Sequence, residues 1–154
     1  MLKPTLEAHF QLYADSHRHP MNRLTHKVAI PLIVFHVVAM LSWIVVATPF
    51  GRPLSLGHLF YAGSVAWYLS LDVTLGLVMA LAVAVVFPIA AVTPRAAVVA
   101  IALVGWFVQL AGHVVWEKRS PAFLTNLLQA LVGPLFFVAV AVGAWPARDA
   151  AETA

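Results

Sequence analysis

The chain contains no cysteine. Disulfides, thiolate metal sites and a cysteine nucleophile are therefore excluded, and any bound metal has to rely on histidine, carboxylate and water. Charge is scarce too: of 154 residues only 10% are charged, nine basic and six acidic, while 62% are hydrophobic and the mean hydropathy is +0.92. A soluble domain of this length is never so apolar, and the composition predicts an integral membrane protein. A long basic stripe with interleaved aromatics is also missing, which argues against nucleic acid as a partner. The net charge of +3 and the pI near 9.7 instead suit the anionic headgroups of a lipid bilayer. The first twenty residues carry Lys3, Glu7, Asp15, Arg18 and three histidines in place of the apolar core of a cleaved signal peptide. The N-terminus as written is thus expected to be that of the mature chain.

Apolar segments lie at 28–47, 56–71, 73–92, 96–116 and 122–145. A crossing needs about 20 residues, and the second segment is the shortest. Pro49, Gly51 and Pro53, then Asp72, then Thr93, Pro94 and Arg95, and finally a charged cluster before Pro121 punctuate them. With no repeat and no low-complexity linker, the expected fold is all-α: an integral membrane bundle of about five hydrophobic segments in a single domain over 1–154. Residues 1–27 form its cytoplasmic or interfacial N-terminal segment, 28–145 its spans and 146–154 its tail. Counting bases on alternate loops puts Lys3, Arg18, Arg23, Lys27, Lys118 and Arg119 on one side and Arg52, Arg95 and Arg148 on the other. Because cytoplasmic loops are rich in Lys and Arg, the chain is expected to be multi-pass in a plasma-type membrane, with its N-terminal segment and the 117–119 cluster sharing the cytoplasmic face.

Ahead of the spans, Leu6, Phe10 and Tyr13 recur at helical intervals, which predicts a short amphipathic helix in the interface plane, capped by Thr5. Pro20 suits the first turn of a second helix, which runs through Asn22 and His26 into the membrane. Pro31 leaves the carbonyl of Lys27 without its helical donor.

Near the end of the fourth segment the apolar run meets Gln109, His113, Glu117, Lys118 and Arg119. The first three are each four residues apart, so on an α-helix they project from one stripe. A histidine and a carboxylate on one stripe can share a cation; equally, Glu117 can pair with Lys118 or Arg119 at the interface while His113 bonds a neighbouring helix. With His17 and His26 on the same membrane face, the cluster suits Fe(II), Mn(II) or Zn(II), and the residues do not choose among them. Asn22 and Gln109 are placed to fix a histidine tautomer. Arg119 and Lys118 are placed to attract a carboxylate, with plain interfacial anchoring as their other reading. Thr125, Asn126, Gln129 and Gly133 make a more polar line on the last segment, facing either packed helices or the site.

Tyr13, His17, Pro20, Asn22, His26 and Pro31, followed by Gly105, Trp106, Gln109, Gly112-His113, Glu117-Lys118-Arg119, Pro121-Ala122, Asn126-Leu127, Gln129 and Pro134, resemble the small membrane family of metal-dependent 2-hydroxy fatty acid dioxygenases of fatty acid α-oxidation. The likeness covers nearly the whole chain, and G-H-x-x-x-E-K-R-x-P-A followed by N-L-x-Q is its most specific part. It implies an Fe(II) cofactor and, as substrates, a 2-hydroxy fatty acid and O2, giving a fatty acid one carbon shorter. It makes His17, His26 and His113 the metal ligands, with His19 a weaker fourth candidate; beside it, Glu117, Asn22 and Gln109 are expected to be catalytic and Arg119, Lys118 and Tyr13 substrate-binding. Thr125 and Val140 depart from the acidic residues that relatives often carry there, which bears on substrate detail more than on the metal.

Two rivals remain open. If His36 and His113 faced each other at matching depth they could ligate a haem in an electron carrier. A non-catalytic lipid-binding protein would need none of the histidines. Trp43, Trp67, Trp106, Trp116 and Trp145 read as interfacial belt or packing residues. Oligomeric state is not legible.

Overall fold

A computed structural model describes residues 2–118, 120–121 and 126–146. The chain is an all-α membrane protein, with helices α1 (Pro4–Asp15), α2 (Pro20–Ser42), α3 (Leu56–Leu71), α4 (Val73–Ala84), α5 (Val86–Val92), α6 (Arg95–Ala111) and α7 (Leu128–Ala141). Among the described residues, three stretches are long and apolar enough to cross a membrane: Pro20–Ser42, Val73–Val92 and Arg95–Glu117. They leave Leu81, Val92, Leu103, Phe107 and Val114 more than two-thirds exposed. A protein in water rarely shows so much large apolar surface; lipid is the solvent in which it is stable.

Local chemistry sets the helix ends. Pro4 and Pro20 open α1 and α2, where a missing N–H breaks no helical bond. The expected cap at Thr5 is corrected: the helix begins one residue earlier, at Pro4, with Lys3 as its N-cap and no side-chain cap bond. The first spanning helix likewise starts well before residue 28 and ends at Ser42, because the Pro20 start signal dominates and residues 45–47 leave the helix for a strand. Asp72 caps α4 by accepting the Leu75 N–H at 2.9 Å. The break between α4 and α5 at Val85 falls where Pro88 has no N–H to offer the carbonyl of Ala84.

The chain divides into two compact units, Leu32–Val104 and the pair of segments Met1–Pro31 and Gly105–Ala154. In the first, α3 packs on α4 and Tyr61 donates to the carbonyl of Ala80 at 3.0 Å. A Cβ on Gly76 would come within 2.8 Å of the Leu69 backbone nitrogen, so this close approach requires glycine. A small hairpin, β1 (Val45–Ala47) with β2 (Leu54–Ser55), turns the chain at the Pro49-Gly51-Pro53 signal.

In the second unit α1 lies against α7. Leu6, Phe10 and Tyr13 are buried, and Phe10 meets Phe136 and Trp145 edge-on at 5.5 and 5.4 Å. Gly133 gives Tyr13 its room, since a Cβ there would stand 3.2 Å from the phenolic oxygen. This unit holds α1, the start of α2, the end of α6 and α7, and with them the histidines of interest.

Candidate metal centre

Three helices bring His17, His26 and His113 together, all three buried. His17 lies just past the end of α1, His26 sits two turns into α2, and His113 projects from the end of the α6 span. One potential ligand atom from each lies within 4.8 Å of the others. The Nε2 atoms of His17 and His26 are 3.1 Å apart, and those of His26 and His113 are 3.0 Å apart.

The other ring nitrogens decide what these contacts mean. His17 Nδ1 is 2.7 Å from the carbonyl oxygen of Tyr13, and His26 Nδ1 is 2.8 Å from that of Asn22. A carbonyl only accepts, so both Nδ1 atoms carry the proton and both Nε2 atoms are left as unprotonated acceptors, that of His26 taking an N–H of the Gln109 amide at 2.7 Å. Burial pushes His17 down to about 4, helped by the neighbouring His113 and opposed by the Tyr13 carbonyl and the Glu117 carboxylate. At neutral pH it has no second proton with which to bridge the gap. Two nitrogen lone pairs pointed at each other repel unless a cation lies between them. Nitrogens held about 2.1 Å from one ion at angles of about 90–110° stand about 3.0–3.4 Å apart, which matches the spacing found. The donor set therefore fits a metal ion.

Gln109, one turn before His113, brings its amide Nε2 to 2.7 Å from His26 Nε2, while its Oε1 is buried without a partner among the described residues. Glu117 goes elsewhere. Its Oε1 accepts the backbone N–H of His19 at 2.7 Å and the Asn22 side-chain amide at 3.2 Å, at the opening of α2 where the helix dipole favours a negative charge. The single stripe expected of Gln109, His113 and Glu117 is thus corrected. Residues Gly112–Glu117 wind as a π-helical turn, and its larger number of residues per turn carries Glu117 off the line. Nothing in the spacing signals that widening. The turn closes with Lys118 in the left-handed conformation at φ 51°, its N–H bonded to the carbonyl of His113.

Gly112 lets this turn press on α2: a Cβ there would overlap Thr25 Oγ1 and Asn22 Oδ1. His19 is not among the three clustered rings; its Nδ1 accepts the N–H of Met21 at 3.1 Å. Lys118 is exposed, and Arg119 and Thr125 lie outside the described residues. Tyr13 stacks on His17 with ring centroids 4.0 Å apart. His36 bonds the carbonyl of Leu32, within its own helix. Gln129, not among the expected site residues, is buried with both amide atoms unpartnered among the described residues. Its sequence signals were its place in the N-L-x-Q motif and the polar line on the last segment.

The family described as 2-hydroxy-palmitic acid dioxygenase Mpo1-like matches residues 4–144. The chain is similar to the 2-hydroxy-palmitic acid dioxygenase MPO1 of Saccharomyces cerevisiae, with 27% identity over 133 residues that cover 86% of this chain and 76% of the yeast protein. No solved structure matches it.

Proposed function

The chain belongs to the Mpo1-like family, and from that premise we propose that it is an Fe(II)-dependent dioxygenase that shortens 2-hydroxy fatty acids by one carbon. The observation that carries the reading is the pair of unprotonated Nε2 atoms of His17 and His26 at 3.1 Å, with His113 beside them. Imidazoles with open coordination positions suit Fe(II), which when bound supplies O2 activation and chelation of adjacent hydroxyl and carboxylate oxygens. His17, His26 and His113 hold it, and the Tyr13 and Asn22 carbonyls orient the first two rings and raise their basicity.

Gln109 reaches His26 Nε2 with its amide N–H and has a carbonyl acceptor beside it, and so positions whatever enters beside His26. Glu117 acts through Asn22 and the His19 backbone, fastening the start of α2 to the end of α6. Lys118 and Arg119 draw the fatty acid carboxylate toward the site as the acid arrives from the cytoplasmic leaflet of a multi-pass plasma-type membrane. The buried rings exclude water from the C1–C2 bond that must break.

The test is elemental analysis of detergent-purified protein, joined to aerobic incubation with 2-hydroxypalmitate and mass spectrometry of the products. The wild type is expected to retain iron and yield the acid one carbon shorter, and His17→Ala, His26→Ala and His113→Ala to lose both. Iron retained in all three variants ends the reading.

A further inference from the structure

Away from the imidazole nitrogens, a second set of buried polar atoms has nothing to bond. The Tyr13 hydroxyl and both amide atoms of Gln129 are buried with no hydrogen-bond partner among the described residues. Tyr13 is 3% and Gln129 4% exposed. Leaving such groups unpaired is costly, and natural folds rarely keep them without a ligand or water to fill the site. Both belong to one seam. The Tyr13 hydroxyl reaches α7 at Gly133, and Gln129 lies four residues before Gly133 on the same face of that helix. The seam adjoins the histidines, since the Tyr13 ring stacks on His17.

The chemistry of the unpaired atoms selects the ligand. The Tyr13 phenol, whose unperturbed value is about 10, is a neutral O–H donor at physiological pH. Gln129 adds an N–H donor and a carbonyl acceptor. A carboxylate could take the donors but would face the Gln129 carbonyl with a second negative oxygen. A hydroxyl satisfies the set, accepting from Tyr13 or the amide N–H and donating to Gln129 Oε1. We propose that Tyr13 and Gln129 form a subsite that reads the hydroxyl group of a hydroxylated fatty acid, a step that rests on the dioxygenase reading for the identity of the lipid. Such a subsite lets the protein select rare 2-hydroxy acids from a membrane filled with unsubstituted chains, because an acid lacking the hydroxyl leaves buried partners unpaired.

The full chain in detergent, stripped of metal with EDTA, is titrated calorimetrically with 2-hydroxypalmitate and with palmitate. The wild type is expected to prefer the hydroxylated acid by about tenfold. Tyr13→Phe and Gln129→Leu each bring the two affinities to within about twofold of each other by weakening only the hydroxylated acid. Tyr13→Phe keeps the ring and the main-chain carbonyl that hold His17, so its iron content after reloading matches the wild type. Equal affinities in the wild type, or an undiminished preference in both variants, overturn the proposal and leave a structural water as the filler. If Gln129→Leu does not fold, Tyr13→Phe alone decides, since it removes one oxygen. If the protein never retains iron yet Tyr13→Phe abolishes the preference, the subsite stands and the dioxygenase reading falls.

Discussion

His17 Nε2 and His26 Nε2 face each other at 3.1 Å with their protons committed on the far side of each ring, to the carbonyls of Tyr13 and Asn22. A metal-free protein must hold this contact against repulsion, and a bound cation turns it into attraction. Adding Fe(II) anaerobically should therefore raise the thermal midpoint of the detergent-solubilised protein. At about 100 times the dissociation constant, mass action supplies about 2.7 kcal/mol. His26→Ala, which removes the central ring, should abolish the shift. A thermal melt with and without metal checks this, and a shift that survives in His26→Ala would contradict the shared site.

Glu117 gives a graded outcome where the histidines give an absolute one. Its carboxylate touches the His19 N–H and the Asn22 amide and lies apart from the three clustered rings. Glu117→Gln keeps the shape and loses the charge-assisted bonds, so metal affinity is expected to fall by about 10- to 100-fold without vanishing. A competitive chelator titration measures it. Complete loss of binding would make Glu117 a direct ligand.

The packing of the π-helical turn on α2 yields a pairwise prediction. A methyl on Gly112 would overlap Thr25 Oγ1 and Asn22 Oδ1, so Gly112→Ala should destabilise the protein by about 1–3 kcal/mol. It should also weaken metal binding, because His113 is the next residue. Thr25→Ala removes one of the two obstacles and should recover part of the loss. Residues in contact couple in this way, and distant ones add independently. A double-mutant cycle read by denaturation reveals whether they do.

The membrane class and the run of helical segments were legible because each follows from a local rule, apolar run length or proline at a helix start; the meeting of His17, His26 and His113 was an expectation from the sorting of bases, and the folded chain brings the three rings together. The convergence of the histidines needed only the N-terminal helix and the end of the fourth segment on the same side. What escaped was geometry set by contact. A four-residue spacing puts Glu117 under His113 only while the helix stays α, and Gly112 pressed on Thr25 belongs to a turn wound as π. On the last segment Gln129 looked like one of several polar helix contacts, and its lack of a partner among the described residues sets it apart. Thr5 gave way to Pro4 because a proline ring already carries the dihedral angle of a first helical turn.

Acid should unfold the metal-free protein through His17. Its folded-state value is depressed to about 4 by burial, against about 6.5 for an unfolded chain. Between those values the unfolded state binds the extra proton and the folded state does not, so unfolding free energy rises with pH across the window. The contribution is fully present above about 6.5 and is lost as pH falls toward 4. Its size is on the order of 3 kcal/mol, from 1.36 kcal/mol per unit. Denaturant melts of EDTA-treated protein at steps from pH 7 to pH 4 should show the decline, and His17→Gln, which retains a polar side chain that does not titrate, should flatten it. An equally steep decline in His17→Gln would move the acid sensitivity to other groups and remove the claim that His17 is buried in its neutral form.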